Sequence, residues 1–207
     1  MAVAYLSMRA PLGEGMPIRG WRVSAVILAG LAGAAAGHAE DRGCVVAADP
    51  RAPSAVRAEC RWPVAHQRVA QVLRNQAGIA SVLSLVSESR PLSGGRFLQV
   101  HAVGWGIADR QITLRFVERT LEDGGLHLDF RPAGTQEPVP PGRVQVEADE
   151  GSWQVRPDGR GGTHLRYELR YEAGGGLKPW MARRFQSSGV AKAMAELLAA
   201  ARRPPGP

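Results

Sequence analysis

The last third of the chain constrains the fold most, because two neighbouring strand patterns lead there into one long amphipathic helix. Residues 163–171 alternate strictly, so that one face carries leucine and tyrosine and the other carries mostly charged side chains. A strand with one apolar and one charged face belongs to an antiparallel sheet that has one wet side. The apolar face needs a cover, and the helical residues that follow the glycines at 174–176 can supply it.

The preceding strand pattern, residues 143–157, changes its parity part of the way along. Val144 and Val146 share one face, whereas Trp153 lies on the opposite parity. A slip of one residue around Asp149 to Gly151 would return all of them to one side. We therefore predict a β-bulge there, because a bulge beside a glycine bends a strand sharply. The alternative is a tight turn at the same place between two short strands.

Three segments near the C-terminus resemble, as an ordered set, the closing part of START-like domains. They are GSWQVRP (151–157), THLRYELRY (163–171) and GGGLKPW (174–180), and Asp109-Arg110 is similar to the pair that opens a middle strand in these domains. START-like domains belong to the helix-grip (SRPBCC, polyketide cyclase-like) superfamily. The resemblance implies an α+β fold of the bacterial exported type, with a curved antiparallel sheet wrapped around a long C-terminal α-helix. It also implies a space for a lipid or other hydrophobic molecule between the sheet and that helix.

The first 39 residues have the pattern of a secretory signal peptide. Two arginines precede an uncharged run of 14 residues, Val23 to Ala36, and small residues follow it. That run is short for a membrane span, which needs about 20 residues. We predict export to the periplasm or the medium with cleavage after Ala39, the alternative site being Ala36. Translation from Met16 and an uncleaved anchor are further alternatives.

The rest of the chain fits one domain. We predict a linker over residues 40–53, the START-like domain over 54–203 and a tail over 204–207, because a mature chain of this length supports one substantial core. Turn-forming residues separate the predicted elements. These are strands over 54–62, 82–89, 96–103, 110–121, 126–131, 143–157 and 163–171, and helices over 63–74, 75–81 and from about 177 onward.

The mature chain is only modestly basic. Residues 1–39 hold three of the 26 basic residues and one of the 19 acidic residues, which leaves an excess of about five positive charges. The basic residues are scattered and are not interleaved with aromatic ones, so we expect no nucleic-acid partner. A transient contact with an anionic membrane surface remains an alternative to a purely solvated basic surface.

The chain has two cysteines, Cys44 and Cys60, and an exported protein meets an oxidising compartment. A bridge between them would close a loop of about 15 residues and stabilise the fold by roughly 3 kcal/mol in the chain-entropy model. The alternative is two unpaired thiols, one of them buried in the first strand. We predict the disulfide.

Strand parity and helical spacing place a set of large apolar side chains around the space between sheet and helix. In an antiparallel meander every second loop lies at the same end of the sheet, so the loops at 104–109, 132–142 and 172–177 should lie together. Trp105 and the prolines at 138, 140 and 141 predict an entrance there. The candidate cavity residues are Ile112, Leu114, Phe116, Leu128, Phe130, Val144, Val146, Trp153, Leu165, Tyr167, Leu169, Trp180, Met181 and Phe185; the candidate entrance residues are Trp105, Pro138, Pro140 and Pro141.

The sequence carries no motif for a catalytic nucleophile, a phosphate loop, a dinucleotide or a metal, so we assign no catalytic residue, metal or cofactor. Binding or transfer of a lipid or other hydrophobic small molecule is the function that these patterns favour. A cyclase or aromatase that acts by general acid–base chemistry is one alternative, for which Gln99, His101, Tyr167 and Tyr171 are the only suitable set. Parity leaves the face of His101 open. A closed structural or interaction module with a filled core is the other alternative.

Overall fold

Alternation of apolar and polar residues along the strands builds a nine-stranded sheet. The computed structural model describes residues 43–49, 52, 54–104, 106–177 and 179–204, and of residues 179–185 it describes the backbone alone. The strands are β1 (Cys44–Ala48), β2 (Ala55–Trp62), β3 (Val86–Leu92), β4 (Arg96–His101), β5 (Asp109–Thr120), β6 (Leu126–Pro132), β7 (Arg143–Gln145), β8 (Ala148–Pro157) and β9 (Thr163–Glu172). The helices are α1 (His66–Arg74), a 3₁₀ helix (Gln76–Ser81) and α2 (Pro179–Arg202).

The sheet runs in the order β1-β2-β9-β8-β6-β5-β4-β3, and every neighbouring pair along it is antiparallel. Its apolar side is concave and faces α2. In β2, for example, alternate residues from Val56 to Trp62 are buried on that side, and the residues between them are exposed. This arrangement confirms the predicted helix-grip architecture, an α+β fold with a curved antiparallel sheet around a C-terminal helix.

Both α-helices cover the concave side of the sheet. The face of α1 that carries Val69, Ala70 and Leu73 is buried against α2, β8 and β9. The C-terminal half of α2 packs on β1 and β2. In the part of the chain that the structure describes, no helix is long and apolar enough to cross a membrane. The predicted signal peptide, with Met16, lies outside the described residues.

The predicted linker over residues 40–53 was wrong for its central part, because Cys44–Ala48 forms the edge strand β1. This strand makes a hairpin with β2, in which Cys44 lies opposite Cys60, and the two cysteines are joined by a disulfide. The indole Nε1 of Trp62 donates a hydrogen bond to Cys44 Sγ at 3.3 Å. The short apolar run of β1 lacks the strict alternation of the other strands, and its pairing depends on β2.

The predicted β-bulge at Asp149 to Gly151 was also wrong, as was the alternative turn at that place. Strand β8 pairs with β9 from Ala148 to Pro157 without a change of register. The change of parity lies earlier, at residues 146–147, where the chain leaves β7. Strand β7 runs parallel to the beginning of β5, beyond the point at which β6 ends. A strand switch therefore takes the place of a bulge, and it turns Asp149 towards the concave side.

The predicted strand over 82–89 begins later than expected. Residues 82–85 form a turn after the 3₁₀ helix, and β3 starts at Val86. The backbone amide of Val86 donates to the carbonyl of Leu83, which closes this turn. The leucines of this turn are thereby free to face α2, where a continuous strand would have paired them with β4.

Candidate functional site

The space between the concave face of the sheet and α2 is filled at one end. There α1 is wedged against the sheet and against the C-terminal half of α2, and Leu165 and Leu197 are fully buried. Large side chains from three elements meet without leaving room for another molecule. The main members of this filled end are Trp62, Val69, Leu73, Leu126, Leu128, Val155, Leu165, Met194 and Leu197.

The other end of the same space holds a cavity of about 370 Å³. Its floor is the concave face of β4, β5, β6, β8 and β9. Its roof is the middle of α2, from Gln186 to Ala193, and the 3₁₀ helix together with residues 82–86 forms one side. The lining is mostly aliphatic and aromatic, and a few polar side chains interrupt it. Small-molecule sites in proteins have this size and composition.

A row of aromatic rings crosses the floor of the cavity. Trp153 stacks on Tyr167 with 3.9 Å between ring centroids, and Phe130 lies 6.2 Å from Tyr167. Phe116 continues the row at 6.2 Å from Phe130, and Phe97 meets it edge-on at 5.7 Å. Such pairs add to the stability gained from burial alone, so they hold a flat, rigid apolar surface towards α2.

Gly151 allows this row to close over β8. A Cβ atom placed on Gly151 would lie 1.9 Å from the carbonyl oxygen of Glu168 and 2.9 Å from Phe130 Cζ. The glycine therefore lets the Phe130 ring lie directly on the backbone of β8. The sequence-based interpretation assigned this glycine to a bend, whereas its role in the structure is close packing.

The turn at residues 82–85 lies against α2 beside the cavity. Leu83 and Leu85 line the cavity, and Leu85 Cδ1 would lie 3.0 Å from a Cβ atom on Gly189 in α2. The carboxylate of Glu196 accepts hydrogen bonds from the backbone amide of Ser84 at 3.0 Å and from its hydroxyl at 2.6 Å. The mid-helix glycine thus permits close approach of the turn, and Glu196 fastens the turn to α2.

Three titratable side chains meet at one end of the cavity, where β4, β8 and β9 come together. Asp149 and Tyr171 are paired across β8 and β9, and both face the concave side. His101 Nδ1 lies 3.1 Å from the Tyr171 hydroxyl, and His101 Nε2 lies 3.7 Å from Asp149 Oδ2. We call His101, Asp149 and Tyr171 the polar cluster.

Burial favours the uncharged forms of the polar cluster. Desolvation, with a smaller contribution from the charge of Glu150, raises the pKa of Asp149 from 3.8 to about 7. Desolvation lowers the pKa of His101 from 6.5 to about 4. The pKa of Tyr171 is raised by desolvation and by the nearby Asp149 carboxyl. These groups can exchange hydrogen bonds with a ligand, and between about pH 4 and about pH 7 they offer it little charge.

Two further polar residues line the cavity at a different place and are already paired. Gln99 Nε2 lies 3.3 Å from Gln76 Oε1 and 3.4 Å from Ser89 Oγ. Gln76 donates through Nε2 to the carbonyl of Leu73 at 2.5 Å. These glutamines tie the 3₁₀ helix to β3 and β4, so we assign them a structural role.

The structure brings some of the predicted cavity residues to the cavity and places others elsewhere. Tyr167 and the other residues that line it lie on the half of the sheet nearer to the polar cluster. Leu128 and Leu165 belong to the filled end, while Ile112 and Val146 are buried in a second cluster against Leu114, which itself lines the cavity. The predicted residues that line the cavity are Leu114, Phe116, Phe130, Trp153, Tyr167 and Leu169.

Val144 was predicted to face the cavity, and the structure places it in β7 instead, against Gly175. The side chains of Trp180, Met181 and Phe185 and the whole of Trp105 lie outside the described residues. Arg110, at the beginning of β5, is buried, and its Nη1 donates to the carbonyl of Ala108.

The predicted entrance at Pro138, Pro140 and Pro141 was wrong. Those prolines are exposed and lie on the convex side of the sheet. The carbonyl of Pro138 accepts a hydrogen bond from Gln111 Nε2 at 3.0 Å, and the amide of Thr113 donates to Gln136 Oε1 at 2.7 Å. Both β5 residues point away from Ile112 and the concave face. The loop is therefore a cover for the outside of β5, which the meander argument alone did not reveal.

Asp149 and Gln186 are among the cavity residues that sequence reasoning missed. Asp149 has the same strand parity as Trp153, which is the signal that would have found it once the bulge was rejected. Gln186 lies in α2 and is buried, its Nε2 donating to the carbonyl of Tyr171 at 2.5 Å. Its Oε1 has no hydrogen-bond partner among the described residues. The described part of the chain contains no group of acidic, histidine and cysteine side chains that could hold a metal ion.

Comparisons with known proteins support the fold strongly and the sequence relationship weakly. No known family model matches the sequence. An uncharacterized protein of Pseudomonas aeruginosa is 26% identical over 81 residues, which cover 39% of this chain and 40% of that protein. The chain thus aligns with less than half the length of this curated relative.

Solved structures with the same fold include proteins named for lipid transfer. A STAR-related lipid transfer protein fragment from Xanthomonas axonopodis has a TM-score of 0.66 at 19% identity, covering 77% of this chain and 93% of that one. Human StAR-related lipid transfer protein 5 has a TM-score of 0.67 at 15% identity, with coverages of 77% and 82%. The ZhuI aromatase/cyclase of Streptomyces sp. R1128 has a TM-score of 0.50 at 17% identity, with coverages of 71% and 90%. The chain has the START-like helix-grip fold.

Proposed function

We propose that the protein binds or transfers a lipid or another hydrophobic small molecule, which it holds between the sheet and α2. The observation that carries this proposal is the cavity of about 370 Å³ with its aromatic floor. An apolar ligand would gain about 25 cal/mol for each Å² of apolar surface removed from water. The lipid-transfer names of two structures with this fold agree with the proposal.

The test is a binding titration with a variant that blocks the cavity. Ala193 lines the cavity from α2, whereas Ala199 lies on the exposed face of the same helix. The delipidated protein is titrated with Nile red and then with unlabelled fatty alcohols, fatty acids and phospholipids as competitors. Ala193→Trp should weaken binding at least tenfold, and the matched Ala199→Trp should leave it unchanged. Saturable binding that survives in Ala193→Trp, or no binding by the unmodified protein, would contradict the proposal.

We also propose that the protein acts outside the cytoplasm, with residues 1–39 as its signal peptide. The Cys44–Cys60 disulfide supports this, because such bonds persist in oxidising compartments. Expression of the full chain in a Gram-negative host, followed by fractionation and N-terminal sequencing, tests it. The expected mature protein begins at residue 40. Recovery of the full-length chain in the cytoplasm with reduced cysteines would contradict it.

A second candidate function is an acid–base enzyme that acts on a bound ligand. The polar cluster favours it, because a carboxyl, an imidazole and a phenol lie together in an apolar cavity. The fold of an aromatase/cyclase is also similar. Incubation of the protein with ligands extracted from its host, followed by mass spectrometry, distinguishes turnover from binding. A changed product mass, or loss of water, that requires His101 would favour the enzyme.

A further inference from the structure

The polar cluster and Gln186 lie at one end of a cavity whose other walls are mostly apolar. Asp149 and Gln186 come from β8 and α2, and their exposed fractions are only 5% and 8%. Asp149 receives no hydrogen bond from the described residues, and Gln186 Oε1 has no partner among them. Buried polar groups in native proteins nearly always find a partner, and an unpaired one destabilises the fold.

The two glutamines elsewhere in the cavity provide an internal comparison. Gln76 and Gln99 bond to each other and to their neighbours, so the fold itself satisfies them. The buried side-chain atoms without a partner among the described residues are Gln186 Oε1, at the end where β4, β8 and β9 meet α2, and Arg110 Nε, in β5 opposite His101. A ligand atom at that end could accept from Asp149 and donate to Gln186 Oε1.

The charge of this end decides which head group fits. The titratable and charged side chains around Asp149 come from every element packed against it. They are His101 in β4, Arg110 in β5, Tyr167 and Tyr171 in β9, and Lys192 in α2 at the cavity wall. Glu150 points to the convex side, where it pairs with Arg170 at 2.6 Å. Arg110 opposes the rise in the pKa of Tyr171, whereas no cationic group opposes the rise in the pKa of Asp149.

We propose that this end of the cavity binds the hydroxyl, or a similar uncharged head group, of an amphipathic ligand, in preference to an ionised carboxylate or phosphate. The hydroxyl accepts a hydrogen bond from the Asp149 carboxyl and donates one to Gln186 Oε1, while the hydrocarbon part lies on the aromatic floor. An anionic head group would lie against a buried carboxyl that no described lysine or arginine pairs with, and its desolvation would be uncompensated. This inference rests on the proposed binding function and names its ligand class.

The experiment compares oleyl alcohol with oleate, two ligands with the same chain and different head groups. Their displacement of Nile red is measured at pH 6.5 for the delipidated protein. We expect the alcohol to bind at least tenfold more tightly. Equal affinities, or tighter binding of oleate, would overturn the head-group inference and leave the binding function standing. Failure of both ligands to bind would count against the binding function itself.

Variants of Asp149 test the same point independently. Asp149→Leu should weaken oleyl alcohol binding at least tenfold, whereas Asp149→Asn keeps an uncharged donor and should bind it with nearly unchanged affinity. The unmodified protein should lose affinity for the alcohol as the pH rises from 6 to 8.5, since a neutral ligand buries the carboxyl further, and Asp149→Asn should not. Asp129→Asn, the same change on the convex side of β6, is the control. Identical alcohol affinity in all variants at every pH would overturn the inference.

Discussion

The two ends of the space between the sheet and α2 are built from the same sheet and the same helix, yet one end is filled and the other is open. At the filled end α1 lies between them, and Met194 and Leu197 of α2 are almost completely buried. At the open end α1 contributes only Leu73, and the 3₁₀ helix and the turn at 82–85 take its place. The comparison teaches that the reach of α1 decides where a cavity can exist.

The polar residues follow the same division. The described side chains of the filled end are almost all apolar, and its polar groups are paired: the Trp62 indole bonds to Cys44 Sγ and the Thr163 hydroxyl donates to the Val64 carbonyl. The open end contains the polar cluster and Gln186, whose hydrogen bonds are incomplete. Stability therefore resides mainly in one end, and the capacity for binding in the other. The following predictions test this separation.

The largest expected effect is on stability, and it concerns two leucines on the same face of β9 whose truncation should have unequal costs. Leu165 is fully buried in the filled end, and Leu169 lines the cavity. Leu165→Ala should lower the free energy of unfolding by about 2–5 kcal/mol, since it leaves a new void. Leu169→Ala only enlarges an existing space and should cost clearly less. Urea denaturation of both variants measures this, and equal costs would mean that the two ends are packed alike.

The disulfide should affect stability without affecting binding. It joins β1 to β2, and Cys60 belongs to the filled end. Replacing both cysteines with alanine should lower the free energy of unfolding by roughly 3 kcal/mol, the amount expected for a loop of about 15 residues. Ligand affinity should change by less than twofold. A reducing agent should destabilise the unmodified protein and leave the variant unaffected. A large loss of affinity would show that the ends are coupled.

Loss of the hydrogen bonds that hold the turn at 82–85 to α2 should destabilise the protein less, and only at the open end. Glu196→Ala removes both hydrogen bonds to Ser84, which are exposed to solvent and stabilise the fold by about 1 kcal/mol or less. Amide exchange at residues 82–86 should become faster, and so should ligand dissociation. Glu118→Ala, which removes an exposed ion pair to Arg74, is the control. Unchanged exchange at 82–86 would show that Glu196 does not hold the turn.

A change of pH should have the smallest net effect on the free energy of unfolding, because the pKa shifts of Asp149 and His101 make stability depend on pH in opposite directions. The pKa of Asp149 is raised from 3.8 to about 7, so the folded state retains a proton that the unfolded state has lost. Its contribution to stability falls as the pH rises from about 4 to about 7. The pKa of His101 is lowered from 6.5 to about 4, so its contribution falls as the pH drops through nearly the same range. In the unmodified protein these two opposite changes of the free energy of unfolding with pH largely cancel.

Single variants should reveal how each group makes the free energy of unfolding depend on pH. Asp149→Asn should become more stable as the pH rises from about 4 to 6.5, because His101 alone then sets the dependence. His101→Gln should become less stable over pH 4 to 7, because Asp149 alone remains. Thermal unfolding across this range measures both. Parallel curves for the two variants would show that these groups are not buried in the folded state as the structure has them.

Much of the architecture could be predicted from local patterns. The alternation in residues 163–171 fixed the buried face of β9, and the set of segments from Gly151 to Trp180 identified the helix-grip fold. The apolar residues of β5 and β6 were assigned to the correct side of the sheet for the same reason. A period of two along a strand is visible in the sequence because one side of the sheet meets water.

The errors arose where pairing depended on distant residues. Strand β1 needs β2 to form, and β7 leaves the sheet order to pair with β5, so neither has a local signature. The switch from β7 to β8 turns Asp149 towards the concave side, whereas the predicted bulge at Asp149 to Gly151 left its side of the sheet undetermined. The Pro-rich loop was predicted at the cavity, but its hydrogen bonds to Gln111 hold it on the convex side.

The sequence by itself therefore determined the class of fold, the apolar face of most strands and the presence of a long covering helix. These properties follow from the spacing of apolar residues along the chain. The tertiary structure decided which end of the space is filled, where the cavity lies and which polar groups face it. Those features depend on how far α1 reaches and on the strand switch before β8, and they appear only when segments far apart in the chain compete for the same surface.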